Sequence, residues 1–418
     1  MEPGDYKRFE FQYGIILLRT RRFQSLMDRL GASRISKPVG WFLLYVMPVA
    51  AAIGFYLFLS ELGILFSPRG AAVASYVRTL SPLANLGIPG INPYLPIVDG
   101  WIALVIAMII HEGMHGIVAR SLGLPVKAAG LLFFLVVPIG AFVDVDENAI
   151  KTAPSSYSGR VLAAGAGINL MVGLLCLLLL VGVVSTMRPA SQQGIGVVVA
   201  ADSPLSKAGI QTYDYILDVN GIPLNDPSAI STSSWYKINN TVTLTVFRGG
   251  TTFEKNVTLS YQLLQNTSSG QTFKSPFIGV SFINPGTQSV PSLQSAVNAY
   301  TGAALTRPFT YVCIPTLPTC QSVVPFSDTM APFYTSSLGA IVSPLANLLY
   351  WIFFLNFNLA IFNALPIYPL DGGQAFMVGV KALGKGKLSE KTLLRITGAA
   401  TLAVITLIFA VLAGPWLL

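Results

Sequence analysis

Apolar positions along this chain fall into five long runs separated by polar or broken stretches. A helix needs about 20 apolar residues to span a bilayer, and the runs predict helices near 41–66, 98–122, 161–187, 339–364 and 395–417. The fourth lies in a longer apolar stretch from Met330, which leaves its start open and allows a short sixth helix. Two shorter segments read differently. In 21–33, Phe23, Leu26, Met27 and Leu30 recur at helical spacing between arginines, which predicts a helix on the cytoplasmic membrane surface or packed on the protein. Residues 130–143 are apolar but too few to span, and Pro138 and Gly140 interrupt them. They suit a re-entrant β-hairpin, which is tolerated at membrane depth only where protein covers its backbone or a cavity solvates it; an interfacial loop is the alternative.

The polar stretch 188–338 interrupts the helical pattern. Gly194-Ile195-Gly196-Val197 leads to Pro204, then to Asp214-Tyr215-Ile216-Leu217-Asp218-Val219-Asn220-Gly221 and the alternating run Val242-Thr243-Leu244-Thr245-Val246. This segment resembles a PDZ domain. The resemblance implies that Gly194, Ile195, Gly196 and Val197 form a loop whose amides bind a substrate carboxylate. Residues 263–337 are rich in Ser, Thr, Pro and Gln, with one expected strand at 277–283. The expected fold is a polytopic α-helical membrane protein of five to six transmembrane helices with a re-entrant hairpin and an inserted mainly-β domain. Its parts are an N-terminal segment 1–40, a membrane part 41–187, a PDZ-like domain 194–262, a connecting region 263–337 and a second membrane part 338–418.

Composition agrees. Hydrophobic residues make up 53 % and charged residues 11 %, against about 25 % charged in soluble domains. The net charge of +8 is no nucleic-acid footprint, because the basic residues are unevenly placed. Residues 1–40 hold eight Lys/Arg, 120–160 hold four and 381–395 hold five, whereas the long segments 67–95 and 188–338 hold two and seven. Dense basic connections are cytoplasmic, so the N-terminus is expected inside and the PDZ-like domain outside. Three Asn-x-Ser/Thr sequons (Asn239, Asn256, Asn266) and the pair Cys313 and Cys320 fall on that outer side. No cleavable signal peptide is apparent, since the first apolar run begins at Trp41.

The two histidines of the chain both lie in His111-Glu112-Gly113-Met114-His115, inside the second run. Four residues advance a helix by about 400°, which leaves the two imidazoles roughly 40° apart on one face. So placed they can chelate Zn²⁺, with Glu112 beside them as a base toward water. Ionisable groups inside a membrane segment are costly and mark function. A catalytic zinc usually takes three protein ligands. With no third histidine, the remaining one is a carboxylate or a lone cysteine. Asp371 is the candidate, in a stretch from Asn363 to Gly373 where Pro366, Pro369, Gly372 and Gly373 break the helix.

His111–His115 in one span, with Asn363-x-x-Pro366 and Pro369-Leu370-Asp371-Gly372 in a later one, resembles the site-2 proteases, intramembrane zinc metalloproteases. Phe142-Val143-Asp144 resembles the archaeal and eukaryotic branch. The resemblance implies one zinc held by His111, His115 and Asp371, Glu112 as general base, and Asn363 as a catalytic and substrate-facing polar group. It implies single-span membrane-protein substrates, cut beforehand by another protease, in a lipid bilayer. The family often has Gly-Pro-x-x-Asn in its third core helix where this chain has Gly165-Ala166-Gly167-Ile168-Asn169, and Arg where Gln374 stands. A non-proteolytic scaffold acting through the PDZ-like domain is the main alternative. A metal transporter fits less well, because the candidate ligands converge on one point.

Overall fold

The computed structural model describes residues 9–279 and 334–417, except 13–14, 20, 69, 80, 82, 84–86, 93–94, 135–136, 190–193, 225–232, 266–271 and 386. In chain order the elements are β1 (Phe9–Gln12), β2 (Ile15–Arg19), α1 (Arg21–Gly31), α2 (Ser36–Leu65), α3 (Gly70–Val77), α4 (Ile97–Ser121), β3 (Val126–Phe134), β4 (Val137–Val145), α5 (Glu147–Thr152) and α6 (Ser155–Ser185). They continue with β5 (Met187–Pro189), β6 (Ile195–Gly196), α7 (Pro204–Lys207), β7 (Tyr215–Val219), β8 (Ile222–Pro223), β9 (Thr241–Arg248), β10 (Thr251–Thr258), β11 (Ser260–Gln265), β12 (Thr272–Phe277) and β13 (Tyr334–Ser336). The last three are α8 (Val342–Ala364), α9 (Asp371–Leu383) and α10 (Glu390–Leu417). The chain forms two compact units, 1–178 with 348–418, and 179–347.

Five helices are long and apolar enough to cross a membrane: α2, α4, α6, α8 with the 3₁₀ turn before it, and α10. Each overlaps an expected span. Where the hydrophobic effect cannot drive helices together, small residues let their backbones approach, and the first unit uses glycine in this way. A Cβ on Gly54 of α2 would lie 2.7 Å from Ile361 of α8. On Gly167 of α6 it would meet Leu43 of α2 at 3.0 Å, and on Gly414 of α10 it would meet Leu65 of α2 at 2.3 Å.

The hairpin expected at 130–143 is present and longer, running from Val126 to Val145. It belongs to a four-stranded antiparallel sheet of order β1-β2-β3-β4. The two N-terminal strands were not foreseen, and they cover the β3 side of the hairpin. Gly130 permits that pairing, because a Cβ there would lie 2.0 Å from the Leu18 carbonyl oxygen. α1 packs on the protein. Met27 is buried against Gly116 of α4, where a Cβ would come within 2.4 Å of its sulfur, and Asp28 pairs with Arg120 at 2.9 Å.

The second unit is mainly β, with a sheet of order β10-β9-β7-β6 and β8 paired to β7. Its core gathers Ile195, Val197, Leu205, Ile216, Val219 and the alternating Val242, Leu244 and Val246. Five positions of the Asp214–Gly221 motif have a structural use. Buried Asp214 accepts the Gln211 N–H and the Arg248 guanidinium; Ile216 and Val219 fill the core. Asn220 and Gly221, at φ of 52° and 79°, turn β7 into β8, as a two-residue hairpin loop requires. The strand expected at 277–283 is corrected in its described part. β12 ends at Phe277, and Gly279 adopts a φ of 94°, which stops an extended run. Cys313 and Cys320 lie outside the described residues.

Candidate metal centre

The centre is built on α4. His111 and His115 are buried, with ring centroids 4.9 Å apart and planes at 76°. Their neighbour is α6, which contributes in three ways. Gly165 leaves room for both rings, since a Cβ there would lie 2.4 Å from His115 Nε2 and 2.6 Å from His111 Nε2. The Val161 carbonyl oxygen lies 2.7 Å from His115 Nδ1. One turn beyond Gly165, fully buried Asn169 places its Nδ2 3.3 Å from His111 Nδ1.

The third side comes from the break between α8 and α9. Two prolines end α8, and the Tyr368 N–H reaches across to Thr401 Oγ1 of α10 at 2.9 Å; the same hydroxyl donates to the Pro366 carbonyl at 3.3 Å. Gln374, which stands where the family often has Arg, donates from Nε2 to the Pro369 carbonyl at 2.9 Å. Gly372 and Gly373 let α9 start hard against this loop. A Cβ on either would fall 2.2–2.3 Å from the backbone of Leu365 or Tyr368. Asp371 opens α9, where the helix N-terminus favours a negative charge. Its Oδ2 lies 3.0 Å from His111 Nε2 and 3.0 Å from His115 Nε2.

Two nitrogens and one carboxylate oxygen thus converge, all within 4.8 Å of one another. Among the described residues this is the group of His, Cys, Asp and Glu that could hold a metal ion. Cys176, buried further along α6, is not part of it. The donor set fits zinc, which accepts nitrogen and oxygen ligands and, in catalytic sites, keeps one position open beside three protein ligands. The glycine at 165 also leaves space where any side chain would strike the donor nitrogens.

Half-buried Glu112 lies on the same helix and points to β4, where its Oε2 accepts the Val143 N–H at 3.0 Å. Asn363 occupies the last turn of α8, half-buried, and among the described residues makes no hydrogen bond with His111, His115 or Asp371. The structure places the Gly194–Val197 segment within the β unit. Ile195 and Gly196 form β6, Ile195 and Val197 are buried in the core, and the Val197 N–H is donated to the Asp214 carbonyl at 2.9 Å. Gly165 and Asn169 were not expected at the site. Their signal was a glycine and an amide four residues apart in the apolar stretch 161–184.

A multi-pass helical membrane protein with a β unit and a His-His-Asp cluster in its helical unit defines the class. The comparisons define it further. A model of Peptidase family M50 matches residues 100–408. An uncharacterized protein of Methanocaldococcus jannaschii is 29 % identical over 209 residues, half of this chain and 53 % of that protein. Zinc metalloprotease RasP of Shouchella clausii is 25 % identical over 262 residues, 60 % of this chain and 59 % of that protein. The chain thus spans between half and two thirds of the length of these relatives. It belongs to peptidase family M50, the site-2 protease family of zinc metalloproteases.

Proposed function

We propose that this chain hydrolyses peptide bonds within or near transmembrane helices of membrane-protein substrates. The observation that carries the reading is the meeting of His111, His115 and Asp371 beside Glu112, on helices long enough to span a bilayer. Zinc, when bound by those three residues, supplies a Lewis acid that polarises a carbonyl and makes water nucleophilic near neutral pH. Glu112 takes the proton from the attacking water and delivers it to the leaving amine. The Val143 N–H holds one oxygen of Glu112, which leaves the other for that proton.

A substrate helix hides its carbonyls in its own hydrogen bonds and must unwind before it is cut. The β3–β4 hairpin, read as re-entrant, offers a means. Among the described residues β3 is covered by β2, whereas β4 is the sheet's last strand, and an unwound segment can pair along the part of its outer side that Glu112 does not take. Because Glu112 meets β4 at Val143, a segment so paired would pass the base. Asn363 serves as a polar partner for such a segment. The second unit is read as a PDZ-like domain outside the cytoplasm that excludes substrates with bulky outer domains, with the N-terminus inside.

Comparison of the purified protein with its Glu112→Gln variant on a panel of single-span substrates tests the reading. Glu112→Gln keeps shape and hydrogen bonding and loses the base. Cleavage is expected to fall by orders of magnitude with zinc retained. Equal cleavage by both would exclude the mechanism and favour a scaffold.

A further inference from the structure

We infer that Asn169 is a positioning residue for the metal centre, whose side-chain carbonyl accepts the Nδ1 proton of His111 and thereby fixes the ring form that presents Nε2. The inference rests on the zinc reading of His111, His115 and Asp371.

The argument is one of tautomers. The Nε2 atoms of both histidines are the ones that face Asp371, each 3.0 Å from Oδ2. A neutral imidazole carries a single N–H, so a ring that offers its Nε2 lone pair to a metal holds its proton at Nδ1 and needs an acceptor there. His115 has one, because its Nδ1 lies 2.7 Å from the Val161 carbonyl oxygen, a group that can only accept. The corresponding partner of His111 is the Asn169 side chain, 3.3 Å away.

That contact sets the amide nitrogen of Asn169 against Nδ1, while its Oδ1 is buried with no hydrogen-bond partner among the described residues. In the metal-binding tautomer, two N–H donors would then face each other. The nitrogen and oxygen of an amide are nearly the same size, and a half-turn about the last torsion exchanges them without moving another atom. After that exchange Oδ1 accepts from His111 Nδ1–H, which removes the donor clash, and the amide nitrogen takes the place that Oδ1 held. Asn169 is fully buried in an apolar helix, where an amide is costly without a partner. Four residues along α6, Gly165 and Asn169 share the face that meets the histidines. The first makes room for the rings and the second orients one of them.

The two histidines therefore differ in how they are supported. His115 is held by main chain, which no substitution removes. His111 is held by one side chain.

The test is zinc binding by the purified full-length protein, stripped of metal and titrated against a competing chelator, with Asn169→Leu and Asn169→Asp beside wild type. Asn169→Leu keeps the volume and loses the acceptor, and zinc affinity is expected to fall ~10–100-fold. Asn169→Asp keeps an oxygen acceptor, and its affinity is expected to stay at or above the wild-type value. Should Asn169→Leu not yield folded protein, Asn169→Ala carries the same expectation. Wild-type affinity in the Leu or Ala variant would overturn the inference. So would equal weakening in the Asp and Leu variants, which would mean that the amide donates or merely packs. If wild type itself bound no zinc, the metal reading beneath the inference would fall and take it along, an outcome distinct from the other two.

Discussion

Glu112 and Val143 are joined by a 3.0 Å hydrogen bond from a strand amide to a helix carboxylate. This ties the candidate base to the last strand of the sheet, on the side away from β3. Both the aim of Glu112 and its spacing from the strand edge depend on that one N–H.

Replacing Val143 with Pro removes the donor. Proline is tolerated on an edge strand whose N–H faces outward, and Val143 donates outward, to Glu112. A hydrogen bond to a charged group contributes about 1.5–3 kcal/mol, so cleavage is expected to fall by about 10–100-fold with zinc content unchanged. Single-turnover cleavage of a single-span substrate, read beside metal analysis, checks it. Unaltered cleavage would show that the amide does not position the base.

Replacing Gly165 with Ala puts a methyl 2.4–2.6 Å from both donor nitrogens. Overpacking of this kind costs about 1–3 kcal/mol, and here the rings are what must give way. Zinc occupancy and cleavage should both drop, while the membrane helices remain folded by circular dichroism. Full occupancy in Gly165→Ala would mean that α4 and α6 separate freely at this point.

His111→Ala, His115→Ala and Asp371→Ala each remove one of three donors and should each lower zinc content measured by mass spectrometry. Cys176→Ala should leave it unchanged, since Cys176 is outside the donor cluster. Full zinc retention in Asp371→Ala would remove the carboxylate from the ligand set.

Much of this was legible in the residues. The five spans follow from run length alone, because a bilayer imposes one length on every helix that crosses it. The histidine pair and the broken stretch before Asp371 were readable for a similar reason, since few arrangements suit two imidazoles and a carboxylate in an apolar setting. The N-terminal strands were not foreseen, although Phe9-Glu10-Phe11-Gln12 alternates with a period of two. Four residues of alternation are too few to outweigh a basic, tail-like context, and only pairing with β3 defines them as sheet. What Gly194 to Val197 pack against was not legible, for a physical reason. A Gly-x-Gly-apolar run describes a tight approach of backbone to something, and here the something is β7, with a Cβ on Gly194 falling 2.5 Å from the Ile216 carbonyl oxygen. Asn169 stood in plain view in a family motif. A sequence does not say which of two amide atoms faces a ring 58 residues away.

The second unit can be weakened without touching the metal centre. Asp214 is 1 % exposed and holds Arg248 by two hydrogen bonds. Removing one partner of a fully buried pair costs ~3–5 kcal/mol. Arg248 is partly exposed here, so Asp214→Ala is expected to cost about 2–3 kcal/mol, which is enough to melt a marginal β unit on warming. Zinc content should stay at the wild-type level. If the unit excludes bulky substrates, cleavage of short single-span substrates should persist when it melts, and substrates with large outer domains should become cleavable. A unit that instead recruits trimmed substrates predicts the reverse, with short substrates lost as it melts. We favour exclusion, because a site within the bilayer already captures the transmembrane segment and gains more from rejecting wrong partners than from added affinity. Loss of short-substrate cleavage at the melting temperature of the β unit, with zinc retained, would show that choice to be wrong.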